Sequence, residues 1–155
     1  MPPSRAPKGG FAVGPTRRGK GTKIIAVAAD NSLPLAVYVD GASPAECQLV
    51  EYVLAGSFLD QLPERLIGDK AYDSDAPDRT LHEKYGIEMI APNRRNRTRS
   101  QDARKLRRYR RRWKVERLFA WMHNFRRLVA RWEYHIENFL GFVRLACLHL
   151  LLRHL

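Results

Sequence analysis

The chain has 155 residues, 45% of them hydrophobic, and a formal net charge of +12. This length and apolar content suit one globular domain and exclude a disordered chain. The two cysteines, Cys47 and Cys147, have no Cys-x-x-Cys spacing, which excludes a disulfide framework and a zinc knuckle. The first 21 residues lack the apolar run of a signal peptide, so we expect the chain to stay in the cytoplasm.

The positive charge is concentrated in residues 94–131. That segment holds 16 of the 28 Lys and Arg residues but only two of the 16 acids, Asp102 and Glu116. A run of like charge this dense repels itself unless phosphates or a membrane surface neutralise it. We expect nucleic acid to be the partner. Residues 136–155 are apolar, but Arg144 near their middle costs roughly 2.5–3.5 kcal/mol on membrane-insertion scales. We therefore predict a buried C-terminal helix and no membrane span.

The predicted elements begin after a basic arm rich in Gly and Pro, residues 1–21, in which we predict no helix. Residues 22–30 and 33–40 are apolar and β-branched. Asn31 and Ser32 between them favour a turn. These segments predict a β-hairpin.

A helix is predicted after the hairpin. Ser43 is suited to cap it, Pro44 to occupy its first position, and Gly56 to end it, with Glu46 three residues after the cap. Residues 65–73 then predict a short apolar strand that runs into an acidic turn.

The next helix is predicted from Ser74 or Asp75 through Lys84, closed by Gly86, and a strand follows over 87–92. The remaining sequence predicts helices, because residues 102–132 contain neither Pro nor Gly and the apolar pattern resumes near residue 137. The order is ββαβαβ followed by helices. It predicts an α/β fold with a mixed sheet flanked by helices.

The long helix predicted over 102–132 has two distinct faces. Tyr109, Arg112, Glu116 and His123 are spaced by 3, 4 and 7 residues, which places them on one polar line. The apolar stripe on the roughly opposite side predicts the core: Val115, Leu118, Met122, Phe125, Val129 and Trp132.

Glu116 can be interpreted in two ways. It can be the i, i+4 partner of Arg112 in an exposed ion pair. Alternatively, a lone acid in a phosphate-binding segment holds a divalent cation, which commonly takes one or two carboxylates with phosphate and water as further ligands. The best second carboxylate is Asp69, at the carboxyl end of an apolar strand, where open α/β sheets place ligands. The nearby Asp73, Asp75 and Asp78 are better explained as turn and helix-cap groups.

Six blocks of the sequence occur in the order of one known family: GKGTKIIAVAAD, LPLAVYVDGASPAE, LIGDKAYDSD, IEMIAPNRRNR, YRRRWKVERLFAWMHNFRRL and ENFLGFVRLACL. On these blocks, which cover nearly the whole chain, it resembles the DDE transposases of bacterial insertion sequences, in the group that includes insertion-sequence-5-type elements. The resemblance implies a ribonuclease-H-like mixed sheet flanked by helices. It also implies three carboxylates, Asp, Asp and Glu, that hold two Mg²⁺ or Mn²⁺ ions.

The resemblance places five residues of this chain in the family's motifs. Asp69 matches the second carboxylate and Glu116 the third, as catalytic and metal-binding residues. The family's helix signature is Tyr, two residues, Arg, three residues, Glu, six residues, Lys. Tyr109, Arg112 and Glu116 fill its first three places, and His123 stands where Lys is usual. A neutral imidazole is a weaker phosphate partner than an ammonium group, which leaves the role of His123 open.

The family's first catalytic Asp has no counterpart. It belongs shortly before the stretch that here occupies residues 7–21, and no acid precedes Asp30. Asp30 is a weak substitute that reads better as a turn residue. The resemblance therefore implies a partial catalytic domain, residues 22–155, that lacks its first strand, leaves an edge of residues 22–30 unprotected and is inactive alone. Truncation and frameshift fusion to an upstream product both remain open.

DNA is the partner that this resemblance implies, as element ends and as target. The intact enzyme would cleave DNA by metal-assisted hydrolysis and transfer the strand. Two alternatives are a DNA-binding remnant or regulator without catalysis, which could form mixed oligomers with the intact enzyme, and an RNA-binding protein. The DNA-binding residues expected are Tyr109, Arg112, His123, Arg107, Arg108, Arg110, Arg111, Lys114, Lys20 and Lys23.

Overall fold

A computed structural model of the chain describes residues 10, 12–16, 19–58, 60–97 and 107–155. The strands are β1 Gly14–Thr16, β2 Gly19–Ala28, β3 Pro34–Gly41, β4 Arg65–Ile67 and β5 Glu88–Ile90. The helices are α1 Val50–Ala55, α2 Asp75–Tyr85, α3 Trp113–Met122, α4 Arg126–Val129 and α5 Ile136–Leu152. Short 3-10 turns occupy Glu46–Gln48, Lys70–Tyr72 and Arg110–Arg112.

The predicted hairpin is confirmed: β2 and β3 pair antiparallel, with Thr22 opposite Gly41 and Val27 opposite Ala36. Its turn depends on Ser32, which has a positive φ of 68° and whose amide donates to the Ala29 carbonyl at 3.0 Å. However, β2 begins at Gly19, because its first three residues pair with β1. The end of the predicted arm is therefore part of the sheet.

The α/β class is confirmed, but the described strands do not form the single mixed sheet that was predicted. They form an antiparallel sheet in the order β1-β2-β3 and a separate parallel pair, β4-β5. Among the described residues, no strand bridges β2 and β4. Each of these two strands therefore has an edge without a described strand partner.

Helices cover both faces of β3, so its residues are buried in both directions. Val37 and Val39 pack against α3 and α5, whereas Ala36 packs with Leu49 and Val53 beneath α1. Burial on both faces is expected for a strand between two helical layers. The core cluster on the α3 and α5 side contains Val37, Val39, Leu118, Met122, Leu128, Phe139, Val143, Ala146, Cys147 and Leu150.

The segment between the hairpin and β5 follows the predicted order but differs at one cap. Ser43 does not cap a helix; a 3-10 turn capped by Ala45 precedes α1, which ends before Gly56. The helix α2 ends as predicted, at Gly86, whose φ of 66° is left-handed. Beyond Gly86, Ile87 turns back to pack with Leu81.

The prediction of one helix over residues 102–132 is wrong. Residues 107–109 are helical and Arg110–Arg112 form a 3-10 turn, whereas the predicted start at Asp102 lies outside the described residues. The helix α3 ends at Met122, and Phe125 has an extended backbone with ψ of 104°.

This break changes which residues reach the core. Leu128 on α4 joins the core instead of Val129 and Trp132, which are 65% and 78% exposed. The extended Phe125 rotates the helical face of the following turn, so the 3.6-residue period does not continue across it.

The predicted C-terminal helix is confirmed as α5, and it buries Phe139, Val143 and Cys147 in the core. Among the residues that the structure describes, no helix combines the length and the apolar content needed to cross a bilayer.

Candidate functional site

A cleft of about 690 Å³ lies between β2, β4 and the start of α3. Its lining includes two runs of consecutive residues, 24–30 and 65–69. Alternate residues of a strand point to opposite faces, so a cleft over one sheet face would be lined by every second residue. Lining by consecutive residues instead places this cleft along the edges of β2 and β4.

Asp69 reaches the cleft from the end of β4. Its carboxylate Oδ1 accepts a 2.7 Å hydrogen bond from the Ala71 amide, so Asp69 caps the 3-10 turn that follows. The absence of a side chain at Gly68 lets Tyr72 pack against the turn, because a Cβ at that position would lie 2.8 Å from the Tyr72 ring. The side chain of Asp69 is therefore fixed by the backbone of its own turn.

Glu116 reaches the same cleft from the first turn of α3. Its Oε1 accepts a 2.7 Å hydrogen bond from Arg112 Nη2. The other terminal nitrogen of Arg112, Nη1, donates to the Tyr109 hydroxyl at 2.9 Å. The polar line predicted from helical spacing is thus a connected network over Tyr109, Arg112 and Glu116.

Asp30 also lines the cleft, but two cations hold it. Lys114 Nζ donates to Asp30 Oδ1 at 2.7 Å, and Arg111 Nη1 lies 3.5 Å from Oδ2. The hydrogen bond from Lys114 holds the pKa of the Asp30 carboxyl below its ordinary value. Asp30 therefore fastens the hairpin turn to the start of α3, in keeping with its interpretation as a turn residue.

Both acidic and basic side chains line the cleft. Asp69, Glu116 and Arg112 all line it, and Arg112 is paired with Glu116. The acids in the described lining are Asp30, Glu46, Asp69 and Glu116, and the basic residues are Arg65, Arg111, Arg112 and Lys114. Because the described lining holds as many acidic as basic residues, it differs from a purely basic phosphate-binding groove. Its carboxylates are suited to a cation and its basic groups to an anion.

The donor set around Asp69 and Glu116 suits a hard divalent cation. Carboxylate oxygens are the ligands that Mg²⁺ and Mn²⁺ prefer. The hydrogen bonds described for each carboxylate use one oxygen, Oδ1 or Oε1. Within the described residues, no three His, Cys, Asp or Glu side chains form a metal cage. Asp69 and Glu116 are therefore the residues of the cleft that could hold such a cation, with water and phosphate as its further ligands.

The other residues predicted to bind DNA divide into two groups. Arg107, Arg108, Arg110, Lys20 and His123 are exposed. Lys23, in contrast, donates to the Pro44 carbonyl at 3.0 Å and lies 3.5 Å from Glu46 Oε1, which makes it a structural contact.

His123 stands at the end of α3 and is not among the described residues that line the cleft. Hydrogen bonds connect Tyr109, Arg112 and Glu116, and those described for this network do not include His123.

Sequence reasoning missed how Arg117 is used. Its Nε donates to the buried Ser32 hydroxyl at 3.0 Å, and its guanidinium lies 4.5 Å from the Trp113 ring centroid and 5.4 Å from that of Trp121. This cation joins α3 to the hairpin turn. A positive charge in a basic segment gives no signal of such a role, because the partner is 85 positions away.

Sequence reasoning also missed a second cluster, formed by Asp73, Arg94 and Arg97. Asp73 is 6% exposed, accepts a 2.7 Å hydrogen bond from the Arg94 amide and lies 3.1 Å from Arg97 Nη1. The prediction that Asp73 is structural agrees with these contacts. The cluster ties the loop after β5 to the turn that carries Asp69.

Comparisons with known proteins agree on one family. Residues 5–151 match the family model described as the transposase DDE domain. The chain is 34% identical over 143 residues to a Burkholderia cepacia protein named as a transposase for insertion sequence element IS402. That match covers 86% of this chain and 64% of the relative, so the chain spans just under two thirds of the relative's length. No solved structure matches the chain.

Proposed function

The chain belongs to the family of transposases with a DDE domain, and from that premise we propose that it binds mobile-element DNA and supplies two metal ligands for strand cleavage and strand transfer. One observation carries this proposal: Asp69 and Glu116, from distant parts of the sequence, line one cleft. A DNA substrate implies action at the nucleoid in the cytoplasm. The insertion-sequence-5-type assignment belongs to the same proposal.

The proposed chemistry divides between ligand and DNA contacts. Bound Mg²⁺ or Mn²⁺, as a pair in the complete enzyme, would polarise the attacking water or 3′ hydroxyl and stabilise the leaving oxygen. Asp69 and Glu116 hold the cation, and Arg112, kept in place by Tyr109, binds the phosphate beside it. The exposed Arg107, Arg108 and Arg110 add DNA affinity that does not depend on sequence.

Metal binding by the isolated chain tests the two ligands without requiring turnover. Asp69→Asn and Glu116→Gln should each lower Mn²⁺ affinity, measured by calorimetric titration, by about tenfold or more. Glu83→Gln, at an exposed acid on α2, is the matched control and should leave the affinity unchanged. Equal affinity in Asp69→Asn and the unaltered chain would refute the proposal.

The fold that we propose is a ribonuclease-H-like sheet, of which the described strands form only a part. Support comes from the cleft, which runs along the edge of β2 at residues 24–28 and the edge of β4 at residues 65–67. One further strand between these edges would join the two sheets. Such a strand would bring the first catalytic Asp to the cleft, a place that Asp30 does not fill because Lys114 already binds it. On this basis the chain alone does not catalyse.

Hydrogen exchange tests the incomplete sheet. Edge amides of β2 and β4 that face the cleft should exchange rapidly, while amides paired in the β2–β3 ladder stay protected. An unprotected edge also favours self-association, which sedimentation at increasing concentration would detect. Slow exchange along both free edges in a monomer would contradict the proposal.

A DNA-binding remnant without catalysis is the second candidate, and one observation favours it. Asp30, another acid of the cleft lining, is engaged by Lys114 and Arg111 and so is a poor metal ligand. Charge reversal at Arg107, Arg108 and Arg110 should abolish DNA retention under either function. Strand cleavage by an enzyme completed with the first Asp separates them: loss of cleavage on Glu116→Gln supports catalysis, and no cleavage in any completed enzyme supports the remnant.

A further inference from the structure

Arg94 holds the turn that carries Asp69. It follows β5, and its guanidinium contacts the backbone of the Lys70–Tyr72 turn. Nε donates to the Lys70 carbonyl at 3.1 Å, and Nη2 donates to the Ala71 carbonyl at 2.7 Å. In the same turn, the Ala71 amide donates a hydrogen bond to Asp69 Oδ1 at 2.7 Å. A cation and a carboxylate thus bind opposite sides of one short turn.

The two contacts share a single peptide group. The Lys70 carbonyl and the Ala71 N–H belong to the same planar unit, whose atoms cannot rotate independently. Arg94 fixes the carbonyl end of this unit, and Asp69 binds the N–H end. A positive charge at the carbonyl also polarises the group and strengthens the N–H as a donor, because charge-assisted and chained hydrogen bonds reinforce one another. Arg94 and Asp69 are therefore linked through this one peptide group.

Arg94 is itself held by a buried acid. Its backbone amide donates to Asp73 Oδ2 at 2.7 Å, and the other oxygen of Asp73 lies 3.1 Å from Arg97 Nη1. Arg97 Nη1 also lies 2.8 Å from Asp75 Oδ1, at the start of α2. These contacts fix the loop after β5 against the turn after β4. The backbone of Arg94, from which its guanidinium extends to the turn, is therefore fixed by Asp73.

We infer that Arg94 is a positioning residue that acts on Asp69 through the Lys70–Ala71 peptide and so sets the direction of the carboxylate for a divalent cation. The inference rests on the proposed function of Asp69 as a metal ligand. The change in cation affinity expected on removing Arg94 has a distinctive direction. Removing a nearby positive charge raises cation affinity by simple electrostatics, whereas losing the orientation of a ligand lowers it.

The test compares Arg94→Met with Arg95→Met, the same charge change at the exposed neighbouring residue. Mn²⁺ affinity should fall by about 10- to 100-fold in Arg94→Met, the range for groups that orient a ligand. In Arg95→Met it should stay level or rise. Without metal, the amide proton of Ala71 should move upfield in Arg94→Met as its hydrogen bond weakens, and Arg94→Lys should restore part of both effects.

The measured affinities and the Ala71 resonance decide the inference. An unmoved Ala71 resonance, or a rise in Mn²⁺ affinity in Arg94→Met, overturns it. If Arg94→Met does not fold, Arg94→Lys is decisive, because one ammonium group cannot reproduce both guanidinium contacts. Unchanged Mn²⁺ affinity in Arg94→Lys also overturns the inference. The variant Asp69→Asn separates this inference from the proposed function. Unaltered Mn²⁺ affinity in Asp69→Asn refutes the proposed function. Loss of Mn²⁺ affinity in Asp69→Asn but not in the Arg94 variants refutes only the role of Arg94.

Discussion

Arg112 Nη2 lies 2.7 Å from Glu116 Oε1, one helical turn along the chain. Helical spacing requires these residues to be neighbours, so the pair by itself is the ordinary i, i+4 contact. Its surroundings add meaning, because Arg112 also binds Tyr109 and both members of the pair line the cleft. A cation or a phosphate entering the cleft would compete for the same two side chains.

The first prediction separates stability from DNA binding at Arg112. Arg112→Met should lower the free energy of unfolding by only about 0.5 kcal/mol, because the pair with Glu116 is exposed. If Arg112 contacts phosphate, the slope of log Kd against log salt should fall by about one charge. Salt-dependent DNA retention measures this. Arg144→Met, at an exposed arginine on α5, is the control, and an equal change there would contradict a specific contact.

The second prediction concerns the break after α3. Leu118→Ala should cost about 2–5 kcal/mol of unfolding free energy, because Leu118 is fully buried in the core. Val129→Ala should cost under about 0.5 kcal/mol, since that side chain is mostly exposed. Urea denaturation measures both. A large loss in Val129→Ala would mean that the helix continues with the period read from the sequence.

The third prediction concerns the buried acid beside Arg94. Asp73→Asn should destabilise the fold by about 1.5–3 kcal/mol, because it weakens a charged hydrogen bond to the Arg94 amide and the pair with Arg97. Asp75→Asn, at the exposed partner of the same arginine, should cost at most about 1 kcal/mol. Thermal unfolding followed by calorimetry compares them. Equal losses would show that burial of Asp73 does not matter.

The fourth prediction concerns pH. The pKa of Asp30 is lowered from its ordinary value of 3.8 by Lys114, so the contact stabilises the fold above that pH and is lost as the pH falls through the depressed folded value. Lys114→Met should raise the pKa of Asp30 towards 3.8. Arg111→Met should raise it less, because Arg111 is the more distant cation. Carbon-detected NMR titration of the Asp30 carboxyl measures these shifts, and an unchanged midpoint in Lys114→Met contradicts the assigned cause.

The sequence carried the local features of the candidate site. It nominated Asp69 from its place after a strand and Glu116 from its isolation among cations, and both line one cleft. It could not identify the partners of Asp30, because Lys114 lies 84 positions away. The role of Arg94 was hidden for the same reason, since its contacts depend on a loop meeting a turn after folding.

By itself the sequence determined what depends on neighbouring residues: the β2–β3 hairpin, the end of α2 at Gly86, and the network over Tyr109, Arg112 and Glu116. Steric limits and helical spacing act over a few residues, so a local pattern is enough to specify them. Only the tertiary structure decided that α3 stops at Met122, that the described strands form two sheets, and which charges neutralise one another. These features depend on which distant surfaces pack together, and ion pairs and buried faces form only after that packing brings them within contact distance.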